Sequence, residues 1–196
     1  MNQILFIHGG DSFSSYDAYL TALKTRDVDY DRLKYHQRWR EWIAEQLPND
    51  DVLLPTFPNG SNANYDEWVI YFEKLIPFLQ DGYTLVGHSL GAMFLAKYLH
   101  EHVLPLKARR IVLIAAQHGL HEGDDVGSFA VISASGVERS ADEVHLFHSE
   151  DDPVVPYTSL AHMLADIPTA VTHTYIDHGH FNGTTFPEML ALLQQK

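Results

Sequence analysis

Short apolar runs recur along the chain, each closed by a turn or a polar cluster: ILFIHGG, DVLLP, YTLVGHS, RIVLIAA, VHLFHSEDD and VTHTYIDHGH. Several show no polar alternation. A strand without a polar face is one covered on both sides, as in a parallel sheet flanked by helices. The six runs therefore predict six strands.

Between the runs the apolar period becomes helical. In NYDEWVIYFEKLIPFL, residues Trp68, Tyr71, Phe72, Leu75 and Leu79 recur at helical spacing, Asn64 stands as the N-cap, and Glu67 completes a capping-box pattern. Pro77 is expected to end or kink this helix. The segments AMFLAKYLHEH and FPEMLALLQQ read as two further helices, the second with Pro187 in its first turn. Strands alternating with helices predict an α/β fold, a mostly parallel sheet of about six strands with helices on both faces. In such folds crossovers are right-handed and ligands gather beyond the carboxyl ends of the strands.

No repeat, low-complexity tract or Pro/Gly/Ser linker divides the chain, so residues 1–196 are expected to form a single domain. One connection is unusually long. Residues 11–47 join the first two strands and hold Lys24, Arg26, Arg32, Lys34, Arg38 and Arg40, six of the thirteen Lys and Arg. With Asp27, Asp29, Asp31 and Glu41 interspersed, the segment reads as a solvated helical excursion. The sharper expectation is a partial lid, or a contact for an anionic substrate group.

Charge and composition narrow the partners. A formal net charge of −13 disfavours nucleic acid, whose binding depends on cations neutralising phosphates. The absence of cysteine excludes disulfides, thiol nucleophiles and thiolate metal sites. No apolar run approaches the roughly 18 residues of a spanning helix, and MNQILFIHGG begins as a core strand without a basic leader. A cytoplasmic protein with no membrane partner is expected, acting on a small molecule.

Within YTLVGHSLGAMF, Gly87-His88-Ser89-Leu90-Gly91 fits the G-x-S-x-G nucleophile elbow, with a predicted strand entering and a predicted helix leaving. Flanking residues without side chains let helix and strand backbones approach at the strained turn. A serine hydroxyl is a weak nucleophile unless a base takes its proton, so the elbow predicts an acid and a histidine farther along the chain. HSEDDPVVP follows the fifth strand and offers Asp152, directed by Pro153, as the acid, with Asp151 second. DHGHFNG follows the last strand and offers His180 as the base, with His178 competing. The oxyanion donors are expected to be the N–H of Leu90 and an N–H from the loop after the first strand, Gly10 or Asp11.

The combination FIHGG, LVGHSLGA, HSEDDPVVP and GHFNG resembles the small serine hydrolases of the α/β-hydrolase superfamily, in particular the retinoblastoma-binding protein 9 type and its bacterial relatives. The motifs run from His8 to Gly183. The resemblance implies a compact α/β-hydrolase fold, Ser89 as nucleophile, Asp152 as acid and His180 as base, no metal and no cofactor, and hydrolysis of an ester or thioester. The connection over 11–47 departs from it by its length, and the absence of cysteine excludes an L-x-C-x-E peptide for retinoblastoma-type partners.

Three further readings remain open at this point. Phe13, Tyr16, Phe57, Tyr65, Trp68 and Phe129 are candidate linings of an apolar acyl pocket, although each taken singly reads first as core packing. His118, His121, Asp124 and Asp125 follow the fourth strand in a spacing that matches no standard zinc motif, and Asp124 or Asp125 is a fallback for the acid. A non-catalytic binding protein on the same scaffold is the alternative to an enzyme.

Overall fold

The structure, a computed structural model, describes residues 2–119 and 125–195. The six apolar runs become strands β1 (Gln3–Ile7), β2 (Asp51–Leu53), β3 (Thr84–His88), β4 (Ala108–Ile114), β5 (Ala141–Ser149) and β6 (Val171–Tyr175). They form one sheet in the order β2-β1-β3-β4-β5-β6. Every pairing is parallel, so the sheet is more uniform than the expected mostly parallel one.

Seven α-helices are described: α1 (Tyr16–Thr25), α2 (Trp39–Gln46), α3 (Tyr65–Leu75), α4 (Leu90–Glu101), α5 (Val137–Ser140), α6 (Thr158–Asp166) and α7 (Pro187–Gln194). The central strands bury both faces, which is why their sequences lack alternation. Leu5, Ile7, Leu85, Ile111, Leu113 and Leu146 point toward a core shared with α3, α4, α5 and α6. Ile4, Phe6, Val86, Val112, Ile114 and Phe147 point to the opposite core, closed by α2 and α7.

Helix α3 starts at Asn64, whose side chain accepts from the Asp66 N–H at 2.9 Å. The expected capping box is only half formed. Glu67 accepts instead from the Asn59 side-chain amide at 2.7 Å, so its carboxylate is drawn away from the Asn64 backbone. Pro77 acts as predicted: α3 ends at Leu75 and a single 3-10 turn, Ile76–Phe78, follows.

The connection over 11–47 divides into two parts of different character. Helix α1 buries no residue, whereas α2 buries Trp39 and Ile43 against the sheet. Some of its cations are matched locally: Arg26 grips Asp11 through two hydrogen bonds of 2.6 and 3.2 Å, and Lys34 pairs with Asp31 at 2.6 Å. Among the described residues no helix is long and apolar enough to cross a membrane.

Candidate active site

The strand order reverses direction between β1 and β3, and a doubly wound sheet opens its crevice at such a switch point, beyond the carboxyl ends of the strands. Two of the predicted site loops leave the sheet there. Strand β3 ends at His88, and α4 begins at Leu90, leaving Ser89 alone at the turn. Ser89 has φ 55° and ψ −121°, a conformation that projects its hydroxyl from the sheet edge. Its own N–H donates to the Ile114 carbonyl at 2.8 Å, tying the turn to the end of β4.

The two elbow glycines are explained by close approach. A Cβ on Gly87 would sit 2.6 Å from the Gly91 carbonyl oxygen and 2.7 Å from the Ala92 Cα. A Cβ on Gly91 would collide with the carbonyls of Ile7 and His8. Backbone fills both positions, so any larger residue has to displace β1 or α4.

The three side chains expected from sequence order meet at this edge. His180 Nε2 lies 2.8 Å from Ser89 Oγ. Its Nδ1 lies 2.9 and 3.0 Å from the two carboxylate oxygens of Asp152. Because the carboxylate accepts, Nδ1 carries the proton and Nε2 is left with its lone pair toward the serine. Asp152 is 2% exposed in its side chain. Burial raises its pKa, but hydrogen bonds from His180 and from the Val155 and Val154 N–H groups outweigh it and hold the carboxyl below its ordinary range.

The competing candidates have other tasks. Asp151 Oδ1 accepts from Ser149 Oγ at 2.5 Å and from the Gly179 N–H at 2.8 Å, bracing the loop that carries His180. The His178 ring lies against Asp177, 3.1 Å away. Asp125 accepts from Ser14 N–H and Oγ and from the Gly127 N–H, and Asp124 and His121 lie outside the described residues. Among the described residues no group of three His, Cys, Asp or Glu is gathered as a metal site.

Of the two proposed donors after β1, Asp11 is excluded. Its N–H donates to the Gly60 carbonyl at 2.9 Å, and its carboxylate is held by Arg26. Gly10 remains, beside Leu90: a Cβ there would lie 3.4 Å from Leu90 Cδ2. Leu90 opens α4, where the first N–H groups have no partner within the helix.

A model of the serine hydrolase family matches residues 32–195. The chain belongs to that family. Serine hydrolase RBBP9 of Rattus norvegicus is 22% identical over 163 residues, covering 80% of this chain and 84% of the rat protein. The ydeN gene product of B. subtilis superposes with a TM-score of 0.77 at 20% identity, covering 98% of this chain and 97% of its own. A ydeN-like protein of Pectobacterium atrosepticum superposes with a TM-score of 0.66 at 15% identity, covering 98% and 89%. These likenesses place the fold with the α/β-hydrolases.

Several residues of this serine hydrolase escaped the sequence reading. His8 accepts from the Phe57 N–H through Nε2 at 2.8 Å, so its Nδ1 is the donor to the Gly9 carbonyl at 2.6 Å, and both bonds fix the loop holding Gly10. His88 Nε2 lies 2.9 Å from the His180 carbonyl. Trp39 Nε1 donates to the next carbonyl, that of Phe181, at 2.8 Å. Of the candidate pocket aromatics, Phe57, Tyr65, Trp68 and Phe129 take the core reading: the first three pack on Phe94 of α4, and Phe129 packs on Trp68. Phe13 and Tyr16 line a cleft, with a volume of about 930 Å³, that opens beside the loop after β1 rather than over Ser89.

Three buried imidazoles of the serine hydrolase stay neutral far below the ordinary histidine range. Burial pushes His88 down to about 3, and His148 and His145 down to about 4. In the unfolded chain each binds a proton near pH 6.5, while the folded form resists until pH 3 to 4, so stability is lost as pH falls below 6.5. The loss is about 2 kcal/mol per histidine by pH 5, about 6 kcal/mol for the three. Urea denaturation is therefore expected to show a midpoint clearly lower at pH 5 than at pH 7. Equal midpoints would contradict neutral buried rings.

Proposed function

We propose that this serine hydrolase cleaves a carboxylic ester or thioester through an acyl-enzyme on Ser89. The observation that carries the reading is the unbroken chain of hydrogen bonds from Ser89 Oγ through His180 to Asp152. Ser89 Oγ attacks the carbonyl carbon as its proton passes to His180 Nε2. The carbonyl oxygen becomes an oxyanion, held by the N–H groups of Leu90 and Gly10. Collapse expels the alcohol or thiol, which takes the proton from His180. A water then gives its proton to His180 and attacks the acyl carbon, releasing the acid and restoring Ser89. Asp152 stays ionised and steadies the imidazolium in both halves.

The cleft beside the oxyanion loop supports a polar rather than a long-chain substrate. Phe13, Tyr16 and Tyr19 offer ring faces and Asn62 offers a side-chain amide, while Asn59 and Glu67 are bonded to each other. Residues 13–19 belong to the first part of the 11–47 connection, so that part forms one wall, the role in which a partial lid is proposed. Covering the Asn62 amide with an alkyl chain leaves it unpaired, at a cost of about 1–3 kcal/mol, about tenfold or more in rate. A panel of p-nitrophenyl esters is expected to show kcat/KM for short or hydroxyl-bearing acyl groups about tenfold above that for a dodecanoyl chain. A steady rise with chain length would refute the polar cleft. A fluorophosphonate probe tests the reaction itself: wild-type protein that never reacts would leave a binding scaffold in place of an enzyme.

A further inference from the structure

We propose that Trp39 and His88 are positioning residues for the base, their two ring N–H groups holding the consecutive carbonyls of Phe181 and His180. The inference rests on the reading of His180 as the base.

The loop that carries His180 leaves β6, which pairs on one side only, with β5. A loop at a sheet edge has little to hold it, yet a base displaced by about 1 Å costs on the order of a hundredfold in rate. The loop is instead pinned at four successive residues. Ser149 Oγ accepts from the His178 N–H at 3.0 Å, and Asp151 accepts from the Gly179 N–H. The carbonyls of His180 and Phe181 then receive His88 and Trp39. The first two pins come from the end of β5; the last two come from β3 and α2, on the other side of the site.

Phe181 shows why the last two are needed. It has φ 52°, in the left-handed region that a bulky residue rarely adopts. Such a conformation persists only where surrounding contacts over-determine it. Phe181 is 3% exposed, and its N–H closes a turn onto the His178 carbonyl at 3.0 Å. The peptide group that follows is aimed by Trp39. Releasing that carbonyl lets the turn relax and swings the neighbouring imidazole.

The chemistry of the two rings fits the same task. A carbonyl only accepts, so His88 must present a proton on Nε2. A polar ring buried between strand and helix loses its hydration unless a partner is supplied, and the His180 carbonyl is that partner. Trp39 packs edge-on to Phe6, His88 and Phe186, with centroids 5.5 to 5.9 Å apart, so its indole is fixed before it donates. Trp39 opens α2, which gives the second part of the 11–47 connection a purpose: it is a strut for the base.

Three variants test this. Trp39→Phe keeps an aromatic ring and removes the donor; His88→Leu removes the other; His88→Gln returns an amide N–H to the same reach. Rate constants for fluorophosphonate labelling, kcat and KM on a p-nitrophenyl ester, and Tm are measured for each, at a temperature well below the lowest Tm. Trp39→Phe and His88→Leu are each expected to lower kcat and labelling about tenfold or more with KM within about twofold. His88→Gln recovers most of the loss. Because both donors act on one loop, the double variant falls short of the product of the single losses. The low-field Nδ1 proton resonance of His180 broadens in the two donor-less variants and sharpens again in His88→Gln. Wild-type protein that labels while Trp39→Phe and His88→Leu label equally fast overturns the positioning role alone. A glutamine no better than leucine at equal Tm does the same. Should His88→Leu not fold, Trp39→Phe decides by the same readouts. Wild-type protein that does not label removes the proposed reaction, and this inference with it.

Discussion

Ser89→Ala is expected to lower kcat about a millionfold, leaving a residue of activity from binding and the oxyanion donors. The substitution deletes a single atom whose described side-chain partner is His180 Nε2, so the fold is left intact and Tm moves little. The turn itself is set by backbone, through the Ser89 N–H on Ile114 and the Ser89 carbonyl receiving Ala92 and Met93. Fluorophosphonate labelling is lost in parallel, and in the wild type the label maps to the peptide carrying Ser89. A loss of only a few-fold would remove Ser89 from the role of nucleophile.

Asp152→Asn is expected to lower kcat about ten-thousandfold through a change of tautomer. In the wild type, Asp152 Oδ1 already accepts from the N–H groups of Val154 and Val155, at 2.8 and 3.0 Å. An asparagine keeps its oxygen on those two donors and so turns its NH2 toward His180. The imidazole then accepts at Nδ1 and carries its proton on Nε2, facing Ser89, where no base remains. Asp151 offers no rescue, since its carboxylate is spent on Ser149 and Gly179. Kinetics of the variant, with near-ultraviolet circular dichroism to confirm the fold, check this. Full activity in Asp152→Asn would move the acid elsewhere.

What the sequence disclosed and what it hid divide along a physical line. The four inner strands were legible because burial on both faces demands uninterrupted apolar residues. Gly87 and Gly91 were legible because no side chain fits where they stand. Asp152 and His180, which the structure brings to Ser89, could be singled out by their order after β5 and β6, a property of the chain alone. Between Gly10 and Asp11 as proposed oxyanion donors the sequence could not choose, since the Asp11 N–H is taken by Gly60 across 49 positions, a bond that topology creates. His88 and Trp39 were invisible for the same reason: their partners lie 92 and 142 positions away. A histidine between a glycine and a serine carries no mark of the carbonyl it will meet. Phe57, Trp68 and Phe129 are core, the first reading of any apolar ring, and only the fold separates them from Phe13 and Tyr16, which reach the cleft.

The outermost position of β6 has a further effect. Its pattern of exposure shows a strand half in solvent, hydrogen-bonded along one margin only. Segments so loosely held open at lower free energy than the interior strands. Mild denaturant that peels β6 away therefore carries off His180 while the other five strands stay paired. Hydrolytic competence is a more fragile property of this molecule than its architecture.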